Sequence, residues 1–216
     1  MFPLQMIHFG AFMYTLLVRM TPKGIMIDHY RRTGDVEKEK EWIRKAEVFW
    51  SNNVCRHCDF EIEAEGTERL PYGPILYVAN HEAYADILAF VESIQDRQIG
   101  FIAKDVLAKI PWYGRWIAKV RSLFIVREDP RNTLDLFNTG EGWLRDVFSL
   151  VIFPEGTRAK NNGMAEFQKG SLRMAFKAGV PIVPVTIKGT YDLFENQGYP
   201  RPGKARFYVH PHIETI

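Results

Sequence analysis

The sequence predicts an α/β fold: a mixed, largely parallel sheet flanked by helices and preceded by two N-terminal helices. Three observations carry this expectation. Beyond residue 58, apolar runs of strand length alternate with stretches of helical periodicity, the pattern of sheets built through helical crossovers. The polar clusters fall just after the apolar runs, where open α/β sheets hold their ligands. A chain of 216 residues, 46% apolar and 25% charged, suffices for one sizeable core, and no repeat, low-complexity tract or linker divides it.

The first element is Leu4 to Val18, mostly apolar but interrupted by Gln5, His8, Gly10 and Thr15. A helix of that extent reaches about 22 Å, short of the roughly 30 Å hydrocarbon core, so a membrane span is not expected. No basic region precedes the run and no small-residue cleavage site closes it, which speaks against a signal peptide. An interfacial helix fits better, because Arg19, Lys23, Arg31 and Arg32 follow closely, as beside anionic head groups. From Asp35 to Asn53 a second helical pattern sets Trp42, Ala46, Phe49 and Asn53 on one stripe and Ile43, Ala46 and Trp50 on the next, among Lys38, Lys40, Arg44 and Lys45. Aromatics beside cations suit a membrane interface; simple packing of both helices on the core is the alternative. The charge is uneven: residues 1–57 hold nine Lys/Arg against six Asp/Glu, the remainder nineteen against twenty. The expected organisation is therefore a membrane-associating helical segment, 1–57, and an α/β domain, 58–216. The net charge of +2 gives no reason to expect a nucleic-acid partner.

Cys55 and Cys58 form a C-x-x-C at the junction. The motif closes a helix before a strand rather than opening one after it, against a thioredoxin-like site, and no second C-x-x-C completes a zinc site. His57, His210 and His212 remain as further ligands for a metal, and a local disulfide is a further alternative; unmodified thiols are the expectation.

The strands and helices then follow in turn. Phe60, Ile62 and Ala64 alternate with acids as on a half-exposed strand, and Pro71, Gly73 and Pro74 mark a turn before ILYVAN. Helical periodicity covers about 85–94, and GFIAK reads as a strand. Residues 105–119 are helical but broken at Pro111 and Gly114; SLFIVR is a strand. Asp129 and Pro130 are a cap and first-turn pair for a helix to about Asp146, weakened by Gly140 and Gly142. SLVIFP is a strand, a polar loop runs to Gln168, and Lys169 to Ala178 is helical up to Gly179. VPIVPVTI and ARFYVHP complete the series.

Three polar clusters lie at strand ends: Asn80 and His81, Arg127, and Glu155 to Arg158. Residues five apart on one helix point about 140° from each other, so His81 and Asp86 meet only if His81 lies before the helix and Asp86 in its first turn. Asp86 then fixes the imidazole tautomer and leaves the other ring nitrogen as a general base. No nucleophile elbow, phosphate-binding glycine loop, dinucleotide fingerprint or zinc-protease motif is present, so the proton comes from a substrate hydroxyl. Arg127 and Arg158 offer guanidinium forks for phosphate, and Gly156 allows close backbone approach. Glu155 is suited to accept from a polyol hydroxyl or to orient an arginine, and Lys104 to extend a phosphate cleft. Lys169, Arg173 and Lys177 make a basic helical stripe, suited to an anionic partner such as lipid head groups or simply to solvent.

With these motifs in order, the chain resembles the glycerolipid acyltransferases typified by 1-acyl-sn-glycerol-3-phosphate acyltransferase. N-H-x4-D is matched by Asn80, His81 and Asp86, F-I-x-R by Phe124, Ile125 and Arg127, and F-P-E-G-T-R by Phe153 to Arg158; Val180 to Val185 is similar to the fourth block. The resemblance spans about 60–190. It implies acyl transfer from a thioester of CoA or acyl carrier protein to the free hydroxyl of a lysophospholipid, giving phosphatidic acid, without a metal or other cofactor, by a membrane-associated protein of the cytoplasmic face. It also implies His81 as base, Asp86 as its orienting partner, and Arg127 with Glu155, Gly156 and Arg158 as the acceptor's phosphate and glycerol site; Asn80, Thr157 and Lys104 join these as candidate substrate-binding residues by their place at the strand ends. Two positions depart from the family pattern: Arg121 where glycine is common, and Ala83 where serine is. Other readings are another lyso-acceptor, thioester hydrolysis, or a non-catalytic membrane-binding lipid module. Backbone N–H groups around Gly156 are the candidate oxyanion donors.

Overall fold

The structure, a computed structural model, describes residues 4–126, 129–159, 164–168 and 170–215. Among the described residues, seven strands form one sheet in the spatial order β1 (Phe60–Glu65), β7 (Gly203–Val209), β6 (Ile182–Lys188), β2 (Leu76–Ala79), β5 (Ser149–Ile152), β3 (Ile99–Lys104), β4 (Leu123–Ile125). Neighbours are parallel except β6 and β7, which confirms the mixed, largely parallel sheet. Its centre, β2 and β5, is wholly buried, as continuous apolar runs require when both faces are covered.

Alternation along β2 builds the two sides. Ile75, Tyr77 and Ala79 pack with Ala89 and Phe90 of α3 (Asp86–Ser93), whereas Leu76 and Val78 pack with Leu144 of α5 (Pro130–Asp146) and Met174 of α6 (Arg173–Ala178). Gly140 weakens α5 intrinsically but has a packing reason: a Cβ there would lie 2.5 Å from Met174 Sδ. α6 is shorter at its start than the sequence predicts, and Lys169 of the basic stripe lies outside the described residues. Lys177 of that stripe pairs with Glu141 on α5.

The N-terminal helices differ from expectation in length and in what they bury. α1 runs Leu4–Thr33, straight through Pro22, and α2 runs Val36–Cys58. Thirty residues of helix are long enough to cross a bilayer, so length is not what argues against a span. Composition is: no described helix is both long and apolar enough. Leu16, Met20 and Ile27 of α1 and Ile43, Ala46, Val54 and Cys55 of α2 form a core with Ala85, which precedes α3, and Leu88 within it. Trp42, Phe49 and Trp50 pack against that core, with Lys23 Nζ 3.9 Å from the Phe49 ring centroid. The α2 aromatics are thus core-facing, and the exposed apolar stripe belongs to α1: Leu4, Ile7, Tyr14, Val18 and Ile25. Cys55 and Cys58 lie in the last turn of α2 as buried free thiols, pushed by burial up to about 12 and about 11. Neither is a ready nucleophile at neutral pH.

α1 and α2 are fastened to the domain through Glu39, which is 1% exposed. Arg31 Nε reaches it at 2.7 Å, and Arg121 grips both oxygens at 2.8 and 2.7 Å. Arg121 has φ 60°, a left-handed backbone that glycine would adopt without strain. Its carbonyl also crosses β3, where a Cβ on Gly100 would lie 2.1 Å away.

Glu47, on α2, is buried against the start of β3, where Oε2 accepts the Ile99 N–H at 3.3 Å and Oε1 has no partner among the described residues. Burial raises its pKa well above the ordinary 4.5, against the weaker opposing pull of the Ile99 N–H. The folded chain therefore holds this proton more tightly than the unfolded one. Glu47's contribution is complete below the unfolded value and is lost as pH rises towards the folded one. Glu47→Gln, neutral throughout, should be more stable than the parent at about pH 7.5, with the advantage shrinking towards about pH 4 in urea titrations.

Candidate active site

β2 ends at Ala79 and α3 begins at Asp86, so the intervening loop crosses the carboxyl edge of the sheet. His81 lies before the helix and Asp86 is its first residue, and His81 Nδ1 meets Asp86 Oδ2 at 2.7 Å. Asp86 is fully buried, a cost that only donors can offset. Its Oδ2 also accepts the N–H groups of Glu82 (2.8 Å) and Ala83 (3.0 Å), and its Oδ1 accepts the Thr190 hydroxyl. With Nδ1 of His81 facing this carboxylate, an acceptor only, Nδ1 is the ring nitrogen that donates, so that in the neutral imidazole the lone pair is on Nε2. The imidazole stacks on Phe153, centroids 4.1 Å apart and planes 18° apart, and keeps 20% of its side chain exposed.

His81 lines a cavity of about 520 Å³. Lys104, at the end of β3, and Gly156, Thr157 and Arg158, after β5, also face it, as do the apolar side chains of Ile102, Ile125, Phe137 and Ile152. The structure thus brings His81, Asp86, Lys104 and the Glu155–Arg158 turn together. Arg127 lies outside the described residues.

Two assignments change. Glu155 lines the cavity, but its two oxygens take the backbone N–H groups of His81 (2.9 Å) and Ala165 (2.8 Å), and it is 2% exposed. It therefore pins the backbone of His81 rather than a polyol hydroxyl or an arginine. Asn80 does the same for the sheet edge, exchanging two 2.8 Å bonds with the backbone of Ile187 on β6. The Gly156 N–H closes a turn onto the Phe153 carbonyl at 2.9 Å, and φ 64° there explains the glycine.

Other residues are new. After β6, Gly189 enters the short helix α7 (Thr190–Leu193), and this segment reaches back over the loop. Thr190 holds Asp86, and Glu82 Oε2 accepts the Gly189 N–H at 2.9 Å. Glu195 accepts the Tyr84 N–H and pairs with Arg158 at 3.0 Å, so Arg158 does have an acidic partner, one remote in sequence. Among sequence signals, only the position of TYDLFEN directly after a strand end hinted at this role.

Residues 61–188 match the acyltransferase family model. This chain belongs to the acyltransferase family. It is 30% identical over 208 residues to the chloroplastic 1-acyl-sn-glycerol-3-phosphate acyltransferase LPAT1 of Arabidopsis thaliana, covering 94% of this chain and 55% of that protein. To the 1-acyl-sn-glycerol-3-phosphate acyltransferase of Borreliella burgdorferi it is 29% identical over 158 residues, 72% of this chain and 63% of that one. The chain thus spans roughly half to two thirds of the curated relatives it matches. The crystal structure of the 1-acyl-sn-glycerophosphate (LPA) acyltransferase PlsC from Thermotoga maritima superposes with a TM-score of 0.71 at 25% identity, covering 93% of this chain and 87% of that one.

Proposed function

We propose that this acyltransferase-family protein moves a fatty acyl group from a thioester, of CoA or acyl carrier protein, to the free hydroxyl of 1-acyl-glycerol-3-phosphate, giving phosphatidic acid. The observation that carries this reading is the 2.7 Å contact of His81 with buried Asp86 at a cavity that also presents Arg158 and Lys104. Nε2 of His81 takes the proton of the acceptor hydroxyl as its oxygen bonds to the thioester carbonyl carbon. The tetrahedral intermediate then expels the thiolate, which recovers that proton from the imidazolium, leaving an ester and a free thiol. Arg158 and Lys104, with Arg127 from its sequence motif, hold the phosphate; the apolar wall of Ile102, Ile125, Phe137 and Ile152 suits an acyl chain. An activity matrix of donors against lyso-acceptors and water tests this: transfer to 1-acyl-glycerol-3-phosphate should dominate, and dominant thioester hydrolysis or a different preferred acceptor would refute it.

Thr190 is a positioning residue in this scheme, since it touches Asp86 and not the reactants. Thr190→Val should lower kcat by about tenfold, the scale of one hydrogen bond to a buried charge, and displace the acidic limb of the pH–rate profile. Thr190→Ser should restore both.

The membrane association is assigned to the outer stripe of α1, continued by exposed Val106, Ile110 and Trp112; Tyr14 meets Trp112 edge-on at 5.6 Å. Val106 also lines the cavity, so a lipid acceptor enters from the surface on which the protein rests. The cytoplasmic face is the one where acyl thioesters are to hand. Ile7→Glu combined with Val18→Glu should abolish sedimentation with anionic vesicles, while unchanged sedimentation would move the docking face elsewhere.

A further inference from the structure

Arg158, which the proposed reaction assigns to the acceptor's phosphate, donates from Nη1 to Glu195 Oε1 at 3.0 Å. Its guanidinium carbon also lies 4.0 Å from the centroid of the Tyr84 ring. The same Glu195 oxygen accepts the N–H of Tyr84, a residue of the loop that carries His81. One carboxylate therefore joins the arginine of the cavity wall to the loop of the base. Its second oxygen, Oε2, is buried and has no partner among the described residues.

A carboxylate and a phosphate ask for the same guanidinium fork. Resting on the acyl-transfer reading above, we propose that Glu195 is a built-in competitor for Arg158, which the phosphate of the acceptor displaces, so that Glu195 sets how tightly phosphate-bearing acceptors are held. While Glu195 holds the arginine, only a fraction of molecules offers the free fork, and apparent acceptor affinity falls by that fraction. An acceptor without phosphate gains nothing from Arg158 and does not feel the competition. Orientation of Arg158 by Glu195 would have the opposite sign, because removing the carboxylate would then weaken acceptor binding.

The test is steady-state kinetics of the full chain with 1-acyl-glycerol-3-phosphate and with uncharged monoacylglycerol as acceptors, for the parent, Glu195→Gln, Arg158→Ala and the double variant. Glu195→Gln should lower the KM for the phosphate acceptor by about three- to tenfold, the range of one partly exposed charge pair. It should leave the monoacylglycerol KM in place and have no effect in the Arg158→Ala background. A KM for the phosphate acceptor that is unchanged or raised, or that falls equally for both acceptors, would overturn the proposal. Should Glu195→Gln not accumulate as folded protein, Glu195→Asp, which draws the charge back by one methylene, should lower the same KM to a smaller degree. A parent that transfers nothing to 1-acyl-glycerol-3-phosphate removes the acyl-transfer reading and this proposal with it, whereas an active parent with an unaltered Glu195→Gln removes this proposal alone.

Discussion

His81→Ala should lower acyl transfer to 1-acyl-glycerol-3-phosphate by about 10²- to 10⁴-fold in kcat, the range that a positioned general base contributes. Acceptor KM should change far less, because the imidazole is assigned to the proton and Arg158, Lys104 and Arg127 to the phosphate. The variant should fold: the ring is partly exposed and rests on one face against Phe153, so its removal opens little of the core. Asp86→Ala would be a poorer probe. That carboxylate is fully buried and answers the N–H groups of Glu82 and Ala83, the Thr190 hydroxyl and the imidazole at once, so its loss strands several donors and confounds activity with stability. Near-parent turnover by His81→Ala, with phosphatidic acid quantified as product, would remove the imidazole from the chemistry.

Glu39→Ala should destabilise the fold by about 2–4 kcal/mol, somewhat below the roughly 3–5 kcal/mol typical of breaking a buried ion pair. The discount reflects the guanidiniums it would leave behind: the side chains of Arg31 and Arg121 are 31% and 20% exposed and recover part of their hydration. For a chain of this size that corresponds to a fall of roughly 5–15 °C in Tm. Arg121→Gly separates two effects that oppose each other. Glycine relieves the left-handed backbone at φ 60° but forfeits both bonds from Arg121 to Glu39, leaving Arg31 as its salt-bridge partner. Loss of the ion pair outweighs relief of the backbone, so a net loss of stability, smaller than for Glu39→Ala, is expected in calorimetry. A more stable Arg121→Gly would mean that backbone strain dominates at this junction.

Much of the fold is visible in the chain because strand and helix periods are local. Each of the seven described strands coincides with a stretch that the sequence marks, by an apolar run or, in β1, by alternation, and the C-cap of α6 falls on Gly179, in the left-handed conformation, where a glycine stop is expected. The extent of α1 was not visible. The apolar pattern marks only 4–18, yet the helix runs on through Pro22 to Thr33 because Leu16, Met20 and Ile27 are held against α2 and α3 on either side of that proline.

The site divides in the same way. His81 and Asp86 are five residues apart, and a strand end followed by a helix start is enough to pair them. Thr190 reaches Asp86 across 104 residues and Glu39 reaches Arg121 across 82, distances over which no period or spacing links two side chains. Glu155 shows the other failure. Its place in F-P-E-G-T-R suggests a ligand contact, but which atoms a carboxylate meets depends on two segments, around His81 and Ala165, that only the folded chain brings to it.

Acyl transfer by this route requires that Nε2 of His81 carry the lone pair that accepts the hydroxyl proton. Long-range ¹H–¹⁵N correlation on histidine-labelled protein, at a pH above the titration of the ring, reads that directly. The expected spectrum has His81 as the Nδ1–H tautomer, with Nε2 unprotonated, and Asp86→Asn disturbing that state. A His81 ring protonated at Nε2 and bare at Nδ1 would contradict the assignment, because the nitrogen facing the acceptor would then have no lone pair to receive its proton.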